Sequence, residues 1–257
     1  MVKIATYNVA GLRSMLKKPE FYEFLKQDID ILCLQETKAN EEEIVLNDMI
    51  LTMYPYRYYN STKCTTQRKG LSGTAIWCKN KPDLKTYFID EEGRITCIEF
   101  NDWYILSVYV PNSQLIDSLR YNYRINWNNK FIEYINLLRV SGKPVIICGD
   151  MNVANEPIDI VNPNKKQNKI AGYFDIERIL FKKLLMDCDM IDTFRYFNND
   201  LRASTYWSNF LKSERTNENG WRIDYIIVNN SFINNIKNVT ILDKVKGSDH
   251  CPVLIEI

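Results

Sequence analysis

Short apolar runs, most of them rich in β-branched residues, alternate with polar and turn-forming stretches along the whole chain. They cover residues 2–7, 29–34, 73–78, 95–100, 104–110, 145–148, 223–228, 239–242 and 253–257. Their length, composition and flanking Gly, Pro, Asn or Asp predict strands. Between them lie segments with helical spacing. Pro19 suits a first helical position and heads a helix predicted over residues 19–27. Leu115, Leu119, Tyr123, Trp127, Phe131, Ile135 and Leu138 predict one long amphipathic helix. A third helix is predicted over residues 175–185, with Ile176, Ile179, Leu180 and Leu184 on its apolar face. Strands and helices do not alternate strictly, and residues 95–100 and 104–110, joined by Asn101-Asp102, read as a hairpin. The pattern therefore favours two packed mixed sheets with outer helices over a doubly wound parallel sheet. Residues 162–169 and 214–219 are polar loops of the kind that often carry function.

Composition narrows the class without naming a chemistry. A chain of 257 residues buries enough surface to be stable without disulfides or a structural metal. No apolar run approaches a membrane span, and the N-terminal residues read as a strand rather than a targeting peptide. The seven cysteines include no C-x-x-C pair, and Cys33, Cys97 and Cys148 fall in strand-like runs. Reduced, buried thiols in an intracellular, reducing compartment are expected, and a zinc site is not. The net charge of +1 gives no support for nucleic-acid binding. Basic residues do cluster at Arg13/Lys17/Lys18, Arg68/Lys69, Arg120/Arg124 and Lys165/Lys166/Lys169. Each cluster alone is more simply a solvated surface.

The chain has a single histidine, His250, in Ser248-Asp249-His250-Cys251-Pro252. Histidine is the usual proton carrier near neutral pH, so any mechanism needing two is excluded by count. Three further runs end in acidic or amide motifs: Tyr7-Asn8-Val9-Ala10-Gly11, Leu34-Gln35-Glu36-Thr37-Lys38 and Cys148-Gly149-Asp150-Met151-Asn152. If those strand ends share a rim, Asn8, Glu36, Asp150, Asn152, Asp249 and His250 converge on one cleft. An Asp or Asn after a strand is often only a turn former or helix cap. Four such motifs in this order, each attached to a strand, are a stronger signal than any one of them.

Together with Tyr109-Val110-Pro111-Asn112, Ala171-Gly172 with Glu177-Arg178, and Gly220-Trp221-Arg222-Ile223-Asp224-Tyr225, these segments resemble the exonuclease III branch of the endonuclease/exonuclease/phosphatase superfamily, the apurinic/apyrimidinic (AP) endonucleases. The resemblance spans almost the whole chain. It implies one catalytic domain over residues 1–257, an α/β four-layer sandwich of two packed mixed sheets flanked by helices. It also implies a DNA-repair hydrolase, probing duplex DNA as a monomer without membrane association. That enzyme would cleave 5′ to abasic sites and carry 3′-phosphodiesterase or 3′→5′ exonuclease activity.

Phosphodiester hydrolysis needs an activated water, neutralised phosphoryl charge and help for the leaving alkoxide. By the resemblance, Asp150 orients and deprotonates the water, and Asp224 holds His250, which donates to the phosphate. Tyr109 and Asn152 contact the same phosphate. Glu36 is the main ligand of Mg²⁺, for which Mn²⁺ can substitute, with Asp249, Asp150, Asn152 and Asn8 grouped around the metal. Asn8 would also fix Asp150. Arg13, Lys69 and Asn112 are expected on DNA, Tyr206 and Trp221 on the walls of a pocket for a base-free sugar, and Phe210 with Leu211 as a wedge into the duplex. Trp207 is expected in the core.

Two positions depart from the family pattern. Ala10 stands where an Asp or Asn usually supports the metal, which puts metal affinity in question. Ala5 stands where some animal relatives carry a cysteine implicated in regulating transcription factors, so that activity is not expected. Deoxyribonuclease-type and sphingomyelinase-type members use a second histidine where this chain has Tyr109. Two alternatives stay open: a retrotransposon-type endonuclease, and a non-catalytic protein that binds abasic DNA.

Overall fold

The computed structural model describes residues 1–63, 71–86, 91–208 and 214–257. Its strands are β1 (Lys3–Asn8), β2 (Ile31–Gln35), β3 (Tyr56–Asn60), β4 (Thr74–Cys78), β5 (Leu84–Thr86), β6 (Ile95–Glu99), β7 (Tyr104–Tyr109), β8 (Val145–Asp150), β9 (Met190–Asp192), β10 (Asp224–Asn229), β11 (Asn238–Ile241) and β12 (Val253–Glu256). The helices are α1 (Leu12–Met15), α2 (Pro19–Leu25), α3 (Asp48–Met53), α4 (Leu119–Arg139), α5 (Pro163–Lys166), α6 (Asp175–Asp187) and α7 (Thr193–Phe197).

Two six-stranded sheets form, ordered β11-β12-β1-β2-β4-β3 and β5-β6-β7-β8-β10-β9. Each is mixed: β1 runs parallel to β2, and β7 to β8, while the other pairings are antiparallel. Alternate side chains of each strand go to opposite faces. Ile4, Ile31, Cys33 and Ile76 thus meet Ile105, Ile146, Cys148 and Ile226 between the sheets. On the outer face of the first sheet, Ala5, Tyr7 and Leu34 pack on Leu12, Met15, Phe21, Phe24 and Ile50 of the first three helices. On the outer face of the second, Leu106, Val108 and Ile147 pack on Trp127, Phe131 and Ile135 of α4 and on Phe181 and Leu184 of α6. The result is the expected four-layer α/β sandwich. Central strands buried on both faces explain why they read as continuous apolar runs.

Three strands escape the hydrophobic pattern. β3 and β5 lie at sheet edges, as does β9; β5 and β9 have three residues each, and β3 is built mainly of tyrosines. Edge strands bury less and are kept short. The long helix begins later than its apolar spacing suggests. Ser118 caps it by accepting from the Tyr121 N–H at 3.1 Å, and Leu115 and Leu119 are 75% and 91% exposed. In α6, Ile179 is exposed, and Glu177 and Phe181 join Leu180 and Leu184 on the buried face. The basic pair Arg120/Arg124 is no solvated surface: Arg124 is fully buried, and Arg120 grips the buried Glu92 with both terminal nitrogens. Among the described residues the cysteines are all buried and free, and no helix is long and apolar enough to cross a membrane.

Candidate active site

Because β10 pairs antiparallel with β8 and β12 with β1, the ends of β1, β2, β7 and β8 and the starts of β10 and β12 gather at one rim. Several of these chains turn sharply as they leave the sheet: Ala10, Glu36, Lys38 and Asn152 have φ of 49°, 52°, 52° and 49°. Non-glycine residues in this region are uncommon and tend to cluster at functional sites. At Gly149 a Cβ would come within 1.9 Å of the Val108 carbonyl oxygen. Glycine there lets β8 close on β7 and sets Asp150 beside Tyr109 in register.

Asn8 joins the two sheets at this rim. Its Nδ2 donates to Glu36 Oε1 at 3.0 Å and to Asp150 Oδ2 at 3.0 Å. Its Oδ1 accepts the Ala10 N–H at 3.1 Å. The amide therefore bridges two carboxylates, with one lone pair of its oxygen taken by the Ala10 N–H. Asn152 is likewise engaged: Nδ2 donates to the Val110 carbonyl at 2.8 Å, and Oδ1 accepts from Asn112 Nδ2 at 3.1 Å. Its backbone N–H donates to Asp150 Oδ1 at 2.8 Å.

Asp224 and Asp150 face each other in the β8–β10 ladder. His250 lies between them, with Nδ1 2.8 Å from Asp224 Oδ2 and Nε2 3.9 Å from Asp150 Oδ2. Burial alone would push the imidazole pKa down, but Asp224, through charge and hydrogen bond, and then Asp150 and Asp249 raise it to about 10. His250 is thus an imidazolium at neutral pH. Burial and the neighbouring Asp224 charge push Asp150 up to about 7, against the opposing pull of His250 and the Asn152 N–H. Burial would also raise Glu36, yet the Lys38 ammonium, 2.6 Å away, and the Asn8 amide hold it below the usual carboxylate value. The Tyr109 hydroxyl bonds Glu36; burial and the Glu36 charge raise its pKa well above that of a free phenol.

Glu36, Asp150 and His250 each offer a ligand atom within 4.8 Å of the others. Protonated on both nitrogens, the form its raised pKa favours, His250 has no lone pair to give, and the oxygen donors of the group are then the two carboxylates. That oxygen-donor set fits a hard divalent cation, which takes carboxylates sparingly and keeps waters. Asp224 Oδ1 is buried without a partner, and a water held by such a cation could satisfy it. Asp249 is half-buried and outside this group; its Oδ1 accepts from Ser248 Oγ at 3.3 Å.

Beside His250 lies an aromatic wall. The Tyr206 ring is 4.8 Å from His250 and meets Trp221 edge-on at 6.3 Å. A Cβ at Gly172 would come within 3.0 Å of the Trp221 ring, so glycine is needed for this seating. Trp207 is buried and donates to the Thr216 carbonyl at 2.9 Å, a core residue. Arg13 is exposed on α1, 3.8 Å from Glu43, and Asn112 is exposed beside Asn152. Lys69, Phe210 and Leu211 lie outside the described residues.

Other neighbours of the site went unassigned by sequence. Lys38 sits inside a quoted motif, but only geometry pairs it with Glu36. Lys166 places Nζ 4.7 Å over the Trp221 ring; its signals in sequence were a basic cluster and the polar loop of residues 162–169. Arg215 donates to the carbonyls of Val245, Ser248 and His250 and so clamps the loop that carries the histidine. Its place in the polar loop of residues 214–219 was the signal that could have marked it.

A family model described as the Endonuclease/Exonuclease/phosphatase family matches residues 5–250. An exodeoxyribonuclease of Bacillus subtilis (strain 168) is 38% identical over 258 residues, covering 98% of both chains. A DNA-(apurinic or apyrimidinic site) endonuclease of Dictyostelium discoideum is 38% identical over 261 residues, covering 98% of this chain and 69% of the relative. Among solved structures, an AP endonuclease from Archaeoglobus fulgidus superposes with a TM-score of 0.88 at 27% identity, covering 100% of this chain and 99% of the other.

Proposed function

The chain belongs to the endonuclease/exonuclease/phosphatase family, and from that premise we propose that it is a DNA-repair nuclease that hydrolyses the phosphodiester 5′ to abasic sites in duplex DNA. The observation that carries this reading is the Asp150–His250–Asp224 constellation beside Glu36. It sets a carboxylate able to take a proton near neutral pH next to an imidazolium able to donate one.

In this reading Asp150 takes the proton of the attacking water. Its hydrogen-bond partners, the Asn8 side-chain amide and the Asn152 backbone N–H, fix the direction in which it does so. His250, oriented by Asp224, donates from Nε2 to a non-bridging phosphate oxygen, stabilising charge as it develops. The Tyr109 hydroxyl and the Asn112–Asn152 amide pair add donors to the same phosphate. Glu36, with Asp150 beside it, would hold a divalent cation, Mg²⁺ in our reading, that neutralises phosphoryl charge. Tyr206 and Trp221 would receive the extruded, base-free sugar, whose removal from the stack costs less than that of a paired base. Monomeric action in a reducing intracellular compartment belongs to the same proposal; the buried free thiols support the latter.

The test is incubation of the protein with matched duplexes, one intact and one with a single abasic site, with Mg²⁺ or with EDTA. Metal-dependent nicking confined to the abasic duplex is expected. Binding without nicking would make the protein a sensor, and equal nicking of both duplexes would remove the abasic selectivity.

A further inference from the structure

Arg124 and Glu177 are both about 1% exposed and form an ion pair, with Nη1 3.2 Å from Oε1. They lie on α4 and α6, the helices that cover the outer face of the second sheet. A buried pair of this kind is weak support for stability, because well-packed apolar side chains of similar volume usually serve as well. What apolar side chains could not do is reach what this pair reaches. Arg124 Nη1 donates to the carbonyls of Pro111 at 3.0 Å and Asn152 at 2.8 Å, and Nη2 donates to that of Met151 at 3.0 Å. Glu177 Oε1 accepts from Ser113 Oγ at 2.5 Å, and Oε2 accepts the N–H groups of Gly172 at 2.7 Å and Phe174 at 2.9 Å.

These contacts fall on three loops, and each loop carries or seats a residue of the site. Pro111 and Ser113 flank Asn112. Met151 and Asn152 leave the end of β8, where Asn152 is held at φ 49°. Gly172 underlies Trp221. The Asn112 and Asn152 side chains then join at 3.1 Å. We infer that Arg124 and Glu177 are positioning residues, a buried clamp that sets the Asn112–Asn152 amide pair against the substrate phosphate and, through Gly172, seats the Trp221 wall. The inference rests on the reading of those amides as phosphate contacts. A guanidinium is suited to this task because its planar fork presents several donors in fixed directions.

The paired variant Arg124→Met/Glu177→Gln tests it. Glutamine keeps an acceptor for the Gly172 and Phe174 N–H groups, and methionine fills the space, so no buried charge is left alone. The expected result is a kcat on abasic duplex lowered by about 10- to 100-fold, as for a site displaced by roughly an ångström, with KM within about threefold. Adding Asn112→Ala should then cost much less than it costs the wild type, since Asn112 is already out of place. Arg124→Lys keeps a cation against Glu177 but cannot span three carbonyls. It carries the same comparison if the paired variant melts below the assay temperature. A kcat within twofold of wild type, or an Asn112→Ala penalty equal in both backgrounds, would overturn the clamp. Failure of the wild type itself to nick abasic duplex would instead overturn the function on which it rests.

Discussion

His250 donates through Nδ1 to Asp224 Oδ2 at 2.8 Å, and the same Asp224 stands directly opposite Asp150 in the sheet. One carboxylate thus orients the imidazolium and, by its charge, lifts the pKa of the neighbouring carboxylate. Removing it should damage both partners. Asp224→Asn is expected to lower kcat by at least about 10²–10³-fold, the scale of losing an oriented electrostatic group, with DNA affinity changed less than about threefold. Single-turnover nicking and equilibrium binding measure the two. A near wild-type kcat would remove Asp224 from the mechanism.

Ala10 has φ 49°, a conformation that Asp and Asn adopt more readily than other side chains with a Cβ. Ala10→Asp should therefore be tolerated by the backbone while adding a carboxylate near the rim. The variant is expected to reach half-maximal nicking at lower Mg²⁺ than the wild type, and Mn²⁺ should narrow the difference because it binds such sites more tightly. Overlapping Mg²⁺ titrations would show that Ala10 is silent.

Glu92 is buried between Arg94 and Arg120. Burial would raise its pKa, but the two guanidiniums outweigh it and bring the group down from 4.5 to about 2. A depressed carboxylate stabilises the fold above its unfolded pKa and loses that contribution as pH falls toward the folded value. Glu92→Gln leaves Arg94 without its charge partner and should destabilise by about 3–5 kcal/mol at pH 7. The gap from wild type should hold above pH ~5 and narrow below it, as the wild-type carboxylate takes up its proton. Urea unfolding at a series of pH values reads this directly; a gap of the same size at pH ~6 and pH ~3 would contradict it.

Substrate affinity is expected to fall steeply with salt despite a net charge of +1, since lysines and arginines near the site would release phosphate counterions. Arg13→Ala and Lys166→Ala should each flatten the slope of log K against log salt by about 1. An unchanged slope in either variant would return that residue to ordinary surface charge.

The inner strands were legible because both of their faces are buried, and Asn8, Glu36 and Asp150 were legible because each stands at the end of such a strand. What joins them was not. Asn8 reaches Glu36 across 28 residues through the pairing of β1 with β2, and Asp150 across 142 residues, a contact made only when the two sheets stack. The edge strands β5 and β9 are too short to impose a pattern. Glu177 stands in a motif and Arg124 in a basic cluster, but their pairing was hidden for a different reason. Charged residues on helices read as solvent-facing, and only the loops packed beneath α4 and α6 supply the partners that let these two be buried.

The most direct test of the proposed activity is the chemical nature of the cut ends. A duplex with one abasic site, labelled on either strand end, should be cleaved on the 5′ side of that site only when a divalent cation is present. The product should carry a 3′-hydroxyl that a polymerase extends without further processing. Cleavage on the 3′ side by β-elimination, unaffected by EDTA and leaving a blocked 3′ end, would contradict the account, because that chemistry needs none of Glu36, Asp150, Asp224 and His250 in the roles given to them here.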